Sequence, residues 1–184
     1  MKYLLVGLIT ACRVNESSRA EWSELAPDGR TLDVPPERRK DRKPVPHRVP
    51  LSTQAQAILK HIKGERRHIF ESRNAKGVPV TKAAILLAFR VATGSKTVTV
   101  HGCRSAFSSW CAENGVNPEV REACLMHSMG TASAQAYQRS DLLDQRRALM
   151  QAWADEILPM DVLREALATK KPRRLGPRPI KPSN

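Results

Sequence analysis

Apolar residues recur along most of the chain with the spacing of helices that each turn one face toward a core. Leu4, Leu5, Leu8 and Ile9 predict a first helix that is apolar on nearly every side. The same spacing predicts further helices over residues 16–25, 53–63, 80–92, 99–114, 117–127, 131–139 and 141–158. The pattern therefore indicates a mainly α-helical domain.

Two short segments alternate between apolar and polar residues instead. Residues 31–34 and 47–51 show this alternation, and they flank the basic loop PPERRKDRKPVP. We expect an antiparallel hairpin with a long tip, followed by Ser52 as the N-cap of the next helix. The expected fold is mainly α with one small antiparallel β-sheet.

The length and the C-terminal composition set the expected domain boundaries. A chain of 184 residues is long enough for one well-buried domain, which we place at residues 1–158. Residues 159–184 are predicted to be a basic, proline-rich, disordered tail. In residues 170–184 only Leu175 and Ile180 are apolar, too few to offset the entropy of ordering.

The charge indicates a nucleic-acid partner. Lysine and arginine outnumber the acidic residues by 31 to 18, a net charge of +13. Six basic residues lie in 170–184 with no acidic residue beside them, which leaves +7 for the remainder. No run of apolar residues is long enough to cross a bilayer, so we expect a cytoplasmic protein without membrane contact.

The four cysteines fall within apolar or helical patterns and lack the spacing of a zinc ribbon or finger, so we expect reduced core thiols and no metal. The start MKYLLVGLITAC also has the look of a lipoprotein export signal with Cys12 as the mature start. An exported lipoprotein is therefore a further hypothesis, which cleavage and acylation at Cys12 would identify.

Several motifs occur in one order along the chain: TACRVNE, ERRK, HGCR, CLMH and AYQR. They resemble the active-site boxes of tyrosine recombinases, and RAEWSEL, PHRVPLS and MQAWADEIL resemble phage-type integrases. The resemblance covers Met1 to about Leu158. It implies the catalytic-domain fold of these DNA breaking and rejoining enzymes, truncated at the N-terminus, with these catalytic residues: Arg13, Lys40, His101, Arg104, His127 and Tyr137.

The residue types suit metal-free cleavage of a phosphodiester. This chemistry needs a nucleophile, fixed positive charge for the transition state and an acid for the departing oxygen. Tyr137 is the candidate nucleophile, and Arg13 and Arg104 would bind the non-bridging oxygens through their forked donors. His101 and His127 would donate to the same phosphate, as the resemblance implies.

The resemblance places the general acid in the hairpin loop, where both Lys40 and Lys43 are candidates and ERRK favours Lys40. The other basic residues of the loop and the second strand are expected to contact flanking phosphates without reading sequence. They are Arg38, Arg39, Arg42, Lys43, His47 and Arg48.

The implied function is site-specific recombination or integration of a phage or mobile element through a 3′-phosphotyrosine. The implied partners are double-stranded DNA and further copies of the chain, a tetrameric synapse in the family, with no cofactor. Two alternatives stay open beside the lipoprotein. One is an inactive integrase remnant that only binds DNA, and the other is a type IB topoisomerase, which shares the chemistry without pairing two sites.

Overall fold

The computed structural model describes residues 2–40, 43–72, 75–127 and 141–168. In these ranges the chain forms eight α-helices and one two-stranded sheet. In chain order they are α1 (Lys2–Thr10), α2 (Val14–Ser18), β1 (Thr31–Val34), β2 (His47–Pro50), α3 (Thr53–Ile62), α4 (Lys82–Thr93), α5 (Val100–Glu113), α6 (Pro118–Cys124), α7 (Leu143–Ile157) and α8 (Met160–Ala168). The mainly helical fold with a small antiparallel sheet is as predicted.

Helix α1 lies at the centre of the fold, between two apolar clusters. Its residues Tyr3, Val6 and Ile9 are buried in the first cluster, with the sheet, α3 and α8. Ala11, just after α1, is buried in the second cluster, which α5, α6 and α7 complete. An all-apolar helix suits this place because every side of it meets other elements.

The sheet has the register that the alternation predicted. Leu32 pairs with Val49 and Asp33 with Arg48. Leu32, Val34 and Val49 point into the core, whereas Arg48 points outward. The described residues of the loop after β1 lie beside the region after α1, since Arg39 and Lys40 line one cavity together with Arg13.

The helices that carry the candidate site begin at capping side chains. The Thr99 hydroxyl accepts a hydrogen bond from Gly102 N at 3.1 Å, and α5 starts there. The Asn117 side chain accepts from Glu119 N at 2.8 Å, with Pro118 as the first residue of α6. Each cap satisfies a backbone donor that a helix start leaves unpaired.

Aromatic packing fixes α5 and α7 against α1. The rings of Phe107 and Trp153 meet edge to face at 5.6 Å, and Trp110 lies 5.4 Å from Trp153. Trp153 Nε1 donates to the carbonyl of Leu8 at 3.1 Å. The buried indole thus has its polar partner, and α5 is held in a defined position beside the end of α1.

The predicted helix over residues 16–25 is wrong in its extent. Helix α2 ends at Ser18, and a separate 3-10 turn covers Trp22–Glu24. Between them the backbone pairs with a distant segment: Ile69 N donates to Ala20 O at 2.8 Å, and Trp22 N donates to Arg67 O at 3.1 Å. These tertiary hydrogen bonds replace the helical ones that the local pattern favoured.

The prediction that ordered structure ends near Pro159 is also wrong. Helix α8 covers Met160–Ala168, and its Leu163 is fully buried in the cluster that contains α3. The predicted tail therefore begins with a packed helix, and residues 169–184 lie outside the described residues. None of the described helices has the length and apolarity that crossing a membrane requires.

All four cysteines are buried and free, as predicted. Burial raises the pKa of Cys12 and Cys111 to about 12 and that of Cys124 to about 11. Unfolded thiols lose their protons near the ordinary pKa of 9.0, whereas the folded chain keeps them to higher pH. Thiol ionisation therefore leaves the free energy of unfolding unchanged below the unfolded-state pKa. As pH rises from that value toward the folded-state pKa, the free energy of unfolding falls.

We expect the native thiols to resist alkylation. With a pKa raised from 9.0 to about 12, Cys12 has a small thiolate fraction at pH 8. Iodoacetamide should modify it at least ~100-fold more slowly in the native chain than in concentrated guanidinium chloride, because only the thiolate reacts and the site is closed. Mass spectrometry of quenched samples measures this, and alkylation at equal rates would contradict the buried placement.

Candidate DNA-cleavage site

Arg13 is held at the turn between α1 and α2 by a buried carboxylate. Its Nη1 donates to Glu16 Oε1 at 3.1 Å, and its backbone N donates to Glu16 Oε2 at 2.8 Å. Arg13 Nη2 also reaches the carbonyl of Met126 at 3.4 Å. Glu16 is 1% exposed, and Arg13 balances its buried negative charge. The ion pair between the two side chains fixes the direction of the Arg13 side chain.

Arg104 lies under the same site and connects three parts of the chain. Its Nη1 donates to Ala11 O at 2.5 Å, and its Nη2 donates to Leu125 O at 2.7 Å. The side chain is buried, yet its Nε has no hydrogen-bond partner among the described residues. A buried guanidinium with an unmet donor is costly, and an anion at the site would remove that cost.

His127 completes this group after the end of α6. Its Nε2 lies 3.3 Å from Arg104 Nη2, and its Nδ1 lies 2.6 Å from Glu122 Oε2. Its backbone N donates to Glu122 O at 2.9 Å, which returns the chain over α6. Arg13, Arg104 and His127 therefore lie side by side, although they are far apart in sequence.

Left-handed backbone conformations shape this part of the site. Ala11 has φ 48° and Met126 has φ 52°, values that are strained for residues other than glycine. Their carbonyls are the ones that accept hydrogen bonds from Arg104 and Arg13. The two strained turns thus aim backbone oxygens at the guanidinium groups and fix both arginines in place.

Two cavities share the wall made by His101 and Arg104. The larger one, about 540 Å³, is also lined by Arg13 and Lys40. The smaller one, about 270 Å³, is lined by His127 and by three serines of α5. His101 is exposed at the start of α5, one helical turn before Arg104. Lys43, the other lysine considered for this site, lines neither of these two cavities.

Basic residues outnumber acidic residues in the lining of the larger cavity. Burial, and after it the nearby charge of Arg13, lowers the pKa of Arg104. Lys82 of α4 and Arg19 add further positive charge to the larger cavity. The two guanidinium groups repel each other, and an anion between them would relieve that repulsion. The site is therefore suited to a phosphate.

The predicted phosphate contacts in the hairpin have different environments. Arg39 lines the larger cavity, and Arg48 is half-exposed and forms an ion pair with Asp141 at 3.3 Å. Arg38 also lines the cavity but is engaged by the carbonyl of Arg19 and the carboxylate of Glu24. The predicted phosphate contact of His47 is wrong, because the His47 side chain is buried. On β2 it points toward the core, as Val49 does.

Comparison with known proteins gives the family. The model of the phage integrase family matches residues 2–142, most of the chain. The chain belongs to the phage integrase family.

Among similar proteins, the prophage integrase IntA of Escherichia coli K12 is 36% identical over 157 residues, which are 84% of this chain and 38% of IntA. The integrase of Shigella phage Sf6 is 29% identical over 150 residues, 79% of this chain and 38% of that protein. The integrase of Enterobacteria phage P4 is 30% identical over 168 residues, which are 82% of this chain and 38% of that protein. The chain thus spans well under half the length of these relatives, and no solved structure matches it significantly.

Two residues assigned to the integrase site on sequence grounds lie outside the described residues: Tyr137 and Arg42. The same applies to the predicted helix over residues 131–139. The sequence reasoning missed two carboxylates, Glu16 and Glu122, that hold site residues. Glu16 had a signal, since its spacing of three from Arg13 is that of a helical ion pair. Glu122 had none, because its contact with His127 depends on the turn at Met126.

Proposed function

We propose that this integrase domain cleaves and rejoins double-stranded DNA through a covalent bond to Tyr137, as the chemical step of site-specific recombination. The observation that carries the proposal is the cavity between Arg13, His101, Arg104 and Lys40, with His127 against Arg104. Fixed positive charge and titratable donors meet there around a space large enough to admit a phosphate. Membership of the phage integrase family supports the same chemistry.

In the proposed reaction the two arginines bind the non-bridging oxygens of the scissile phosphate. Arg104 has donors left for this purpose, since its Nε has no partner among the described residues and its Nη1 donates there only to the carbonyl of Ala11. Arg13 is directed by Glu16 and is partly exposed toward the cavity. Positive charge fixed before the reaction stabilises the growing charge of the phosphorane-like transition state without reorganisation.

Tyr137 is the proposed nucleophile, and it follows His127 by ten residues. A fully extended chain spans at most about 3.3–3.6 Å per residue, so this separation keeps Tyr137 within roughly 35 Å of His127 at the site. The phenolic oxygen forms a bond to phosphorus, the bond to the 5′ oxygen breaks, and a 3′-phosphotyrosine results. His101 takes the phenolic proton, and Lys40 gives a proton to the departing oxygen.

Religation is the reverse of this step. A free 5′ hydroxyl attacks the phosphotyrosine, Tyr137 departs, and the two protons return. The energy of the broken phosphodiester is kept in the covalent intermediate, so no ATP is required. Exchange between two sites would need several copies of the chain on DNA, and we propose such self-association as the family resemblance implies.

A nicked suicide substrate tests the proposal, because loss of the short 5′-hydroxyl fragment traps the covalent intermediate. We expect a DNA adduct that survives denaturing electrophoresis and forms equally with and without EDTA. Binding should be weak and should fall steeply with salt, since phosphate contacts release counterions. Salt-sensitive binding without any adduct would instead identify a DNA-binding domain that does not cleave. Dependence of the adduct on a divalent metal would contradict the proposed mechanism.

A further inference from the structure

Glu122 is the acidic residue in contact with His127, and it is held in a fixed position. Its Oε1 accepts from Arg121 Nε at 2.8 Å, which leaves Oε2 to face His127 Nδ1 at 2.6 Å. The carboxylate side chain is 16% exposed. Partial burial acts to raise the pKa of Glu122, but hydrogen bonds from His127 and Arg121 outweigh it and lower the pKa. The group is therefore a carboxylate that can only accept.

This contact decides which nitrogen of His127 carries the proton. Because Glu122 accepts, Nδ1 of His127 must donate and is protonated. Nε2 lies 3.3 Å from Arg104 Nη2, which has only donors, so Nε2 accepts in the absence of a phosphate. The ring thus lies between a fixed acceptor and a fixed donor, and Nε2 is the nitrogen on the arginine side.

We propose that Glu122 is a positioning residue of the cleavage site, which fixes His127 with its proton on Nδ1 and so presents Nε2 to the scissile phosphate. The inference rests on the proposed function and adds a residue to it. When a phosphate oxygen replaces His127 as the partner of Arg104, Nε2 takes up one proton from the solvent and donates to that phosphate. The Glu122 carboxylate then balances the positive charge of the doubly protonated ring.

The surroundings of the ring support this division of roles. The charged groups near His127 are Arg104 and His101 from α5, Arg121 and Glu122 from α6, and Arg13, which contacts the preceding carbonyl. Among these groups of the described residues, Glu122 is the one carboxylate, and it is the one in hydrogen-bond contact with Nδ1. Without the Glu122 carboxylate, the proton of a neutral His127 ring could move to Nε2. The Nε2–H group would then face the N–H donors of Arg104, an unfavourable contact between two donors.

The test compares Glu122→Gln with Glu113→Gln, a matched change of charge at an exposed position of α5. The chain is labelled with ¹⁵N-histidine, and long-range ¹H–¹⁵N spectra report the protonated nitrogen of each ring. His127 is assigned by the signal that His127→Asn removes. We expect the Nδ1–H pattern at His127 in the unmodified chain and in Glu113→Gln. In Glu122→Gln we expect a change toward Nε2–H, because a neutral amide accepts more weakly than a carboxylate and can instead donate to Nδ1.

The second readout is the rate of covalent adduct formation on the suicide substrate. Glu122→Gln should reduce it by ~10-fold or more, as loss of a partner that orients a functional histidine does, with DNA binding within about threefold. Glu122→Asp keeps the carboxylate and should recover part of the rate, which guards against a folding defect in the amide variant. An unchanged ring pattern or an unchanged adduct rate in Glu122→Gln overturns the proposal.

The two readouts separate this inference from the proposed function. The ring pattern is measured without DNA, so it decides whether Glu122 sets the proton of His127 even in a chain that forms no adduct. Absence of adduct in the unmodified chain would overturn the proposed cleavage and with it the role of Glu122 in cleavage. An adduct in the unmodified chain with no effect of Glu122→Gln would overturn the inference alone.

Discussion

Replacing Tyr137 with phenylalanine is expected to abolish the covalent adduct on a nicked suicide substrate. The phenolic oxygen is the atom that bonds to phosphorus in the proposed reaction, and phenylalanine has no atom to replace it. DNA binding should persist within a few-fold, because the phosphate contacts come from other residues. Denaturing gels of radiolabelled substrate measure the adduct, and a filter or gel-shift assay measures binding.

The chain offers a matched control, since Tyr3 is its other tyrosine. The Tyr3 hydroxyl is bonded to Ser17 Oγ at 2.9 Å within the core, and burial raises its pKa to about 12. Tyr3→Phe should lose roughly 1 kcal/mol of stability at most and still form the adduct. An undiminished adduct in Tyr137→Phe would show that the nucleophile is another residue.

Replacing Arg104 with alanine is expected to reduce adduct formation by ~100-fold or more. Removing one preorganised donor to a developing oxyanion typically has an effect of this size. The side chain also connects the carbonyls of Ala11 and Leu125, so its loss should loosen the position of His127 as well. Single-turnover rates at saturating protein separate this effect from weaker binding.

Two further variants distinguish loss of the Arg104 guanidinium geometry from loss of a positive charge. Arg104→Lys keeps the charge but cannot contact Ala11, Leu125 and a phosphate at once, so it too should be strongly impaired. Arg90→Ala removes an exposed arginine of α4 and should leave the rate unchanged apart from a small loss of affinity. Thermal melts show whether each variant is folded. A folded Arg104→Ala chain with the unmodified rate would exclude Arg104 from the reaction.

Local patterns predicted those elements whose signals are local. Alternation predicted the strands Thr31–Val34 and His47–Pro50, and the cap at Ser52 marked the start of α3. The predicted disordered tail from residue 159 misses helix α8. Proline is favoured around the first turn of a helix, and Met160, Leu163 and Leu167 after Pro159 have helical spacing.

The apolar pattern also cannot specify what covers a helix. Residues 80–92 predict a strongly apolar helix, and the structure has α4 there, with Ile85 buried but Leu87 and Val91 exposed at 65% and 75%. The extent of α2 was misjudged for a related reason. Its end is set by backbone hydrogen bonds from Trp22 and Ile69, a pairing between segments that no local spacing reveals.

For the candidate site, motifs identified the residue types but not their supports. The spacing of His101 and Arg104 and the position of His127 follow from the family resemblance. What the sequence could not reveal is how these side chains are held, because Glu122, the strained turn at Met126 and the carbonyl of Ala11 meet them only through the fold. Such contacts between distant segments depend on backbone direction rather than on spacing.

The most direct measurement is the identity of the residue that becomes bonded to DNA. The trapped adduct is digested with trypsin and a nuclease, and the modified peptide is sequenced by mass spectrometry. Trypsin cleaves after Arg121 and Arg139, and the peptide between them contains Tyr137 as its one tyrosine. We expect the nucleotide on that tyrosine, linked through the 3′ phosphate. A nucleotide on any other residue, or a 5′ linkage, would contradict the proposed reaction.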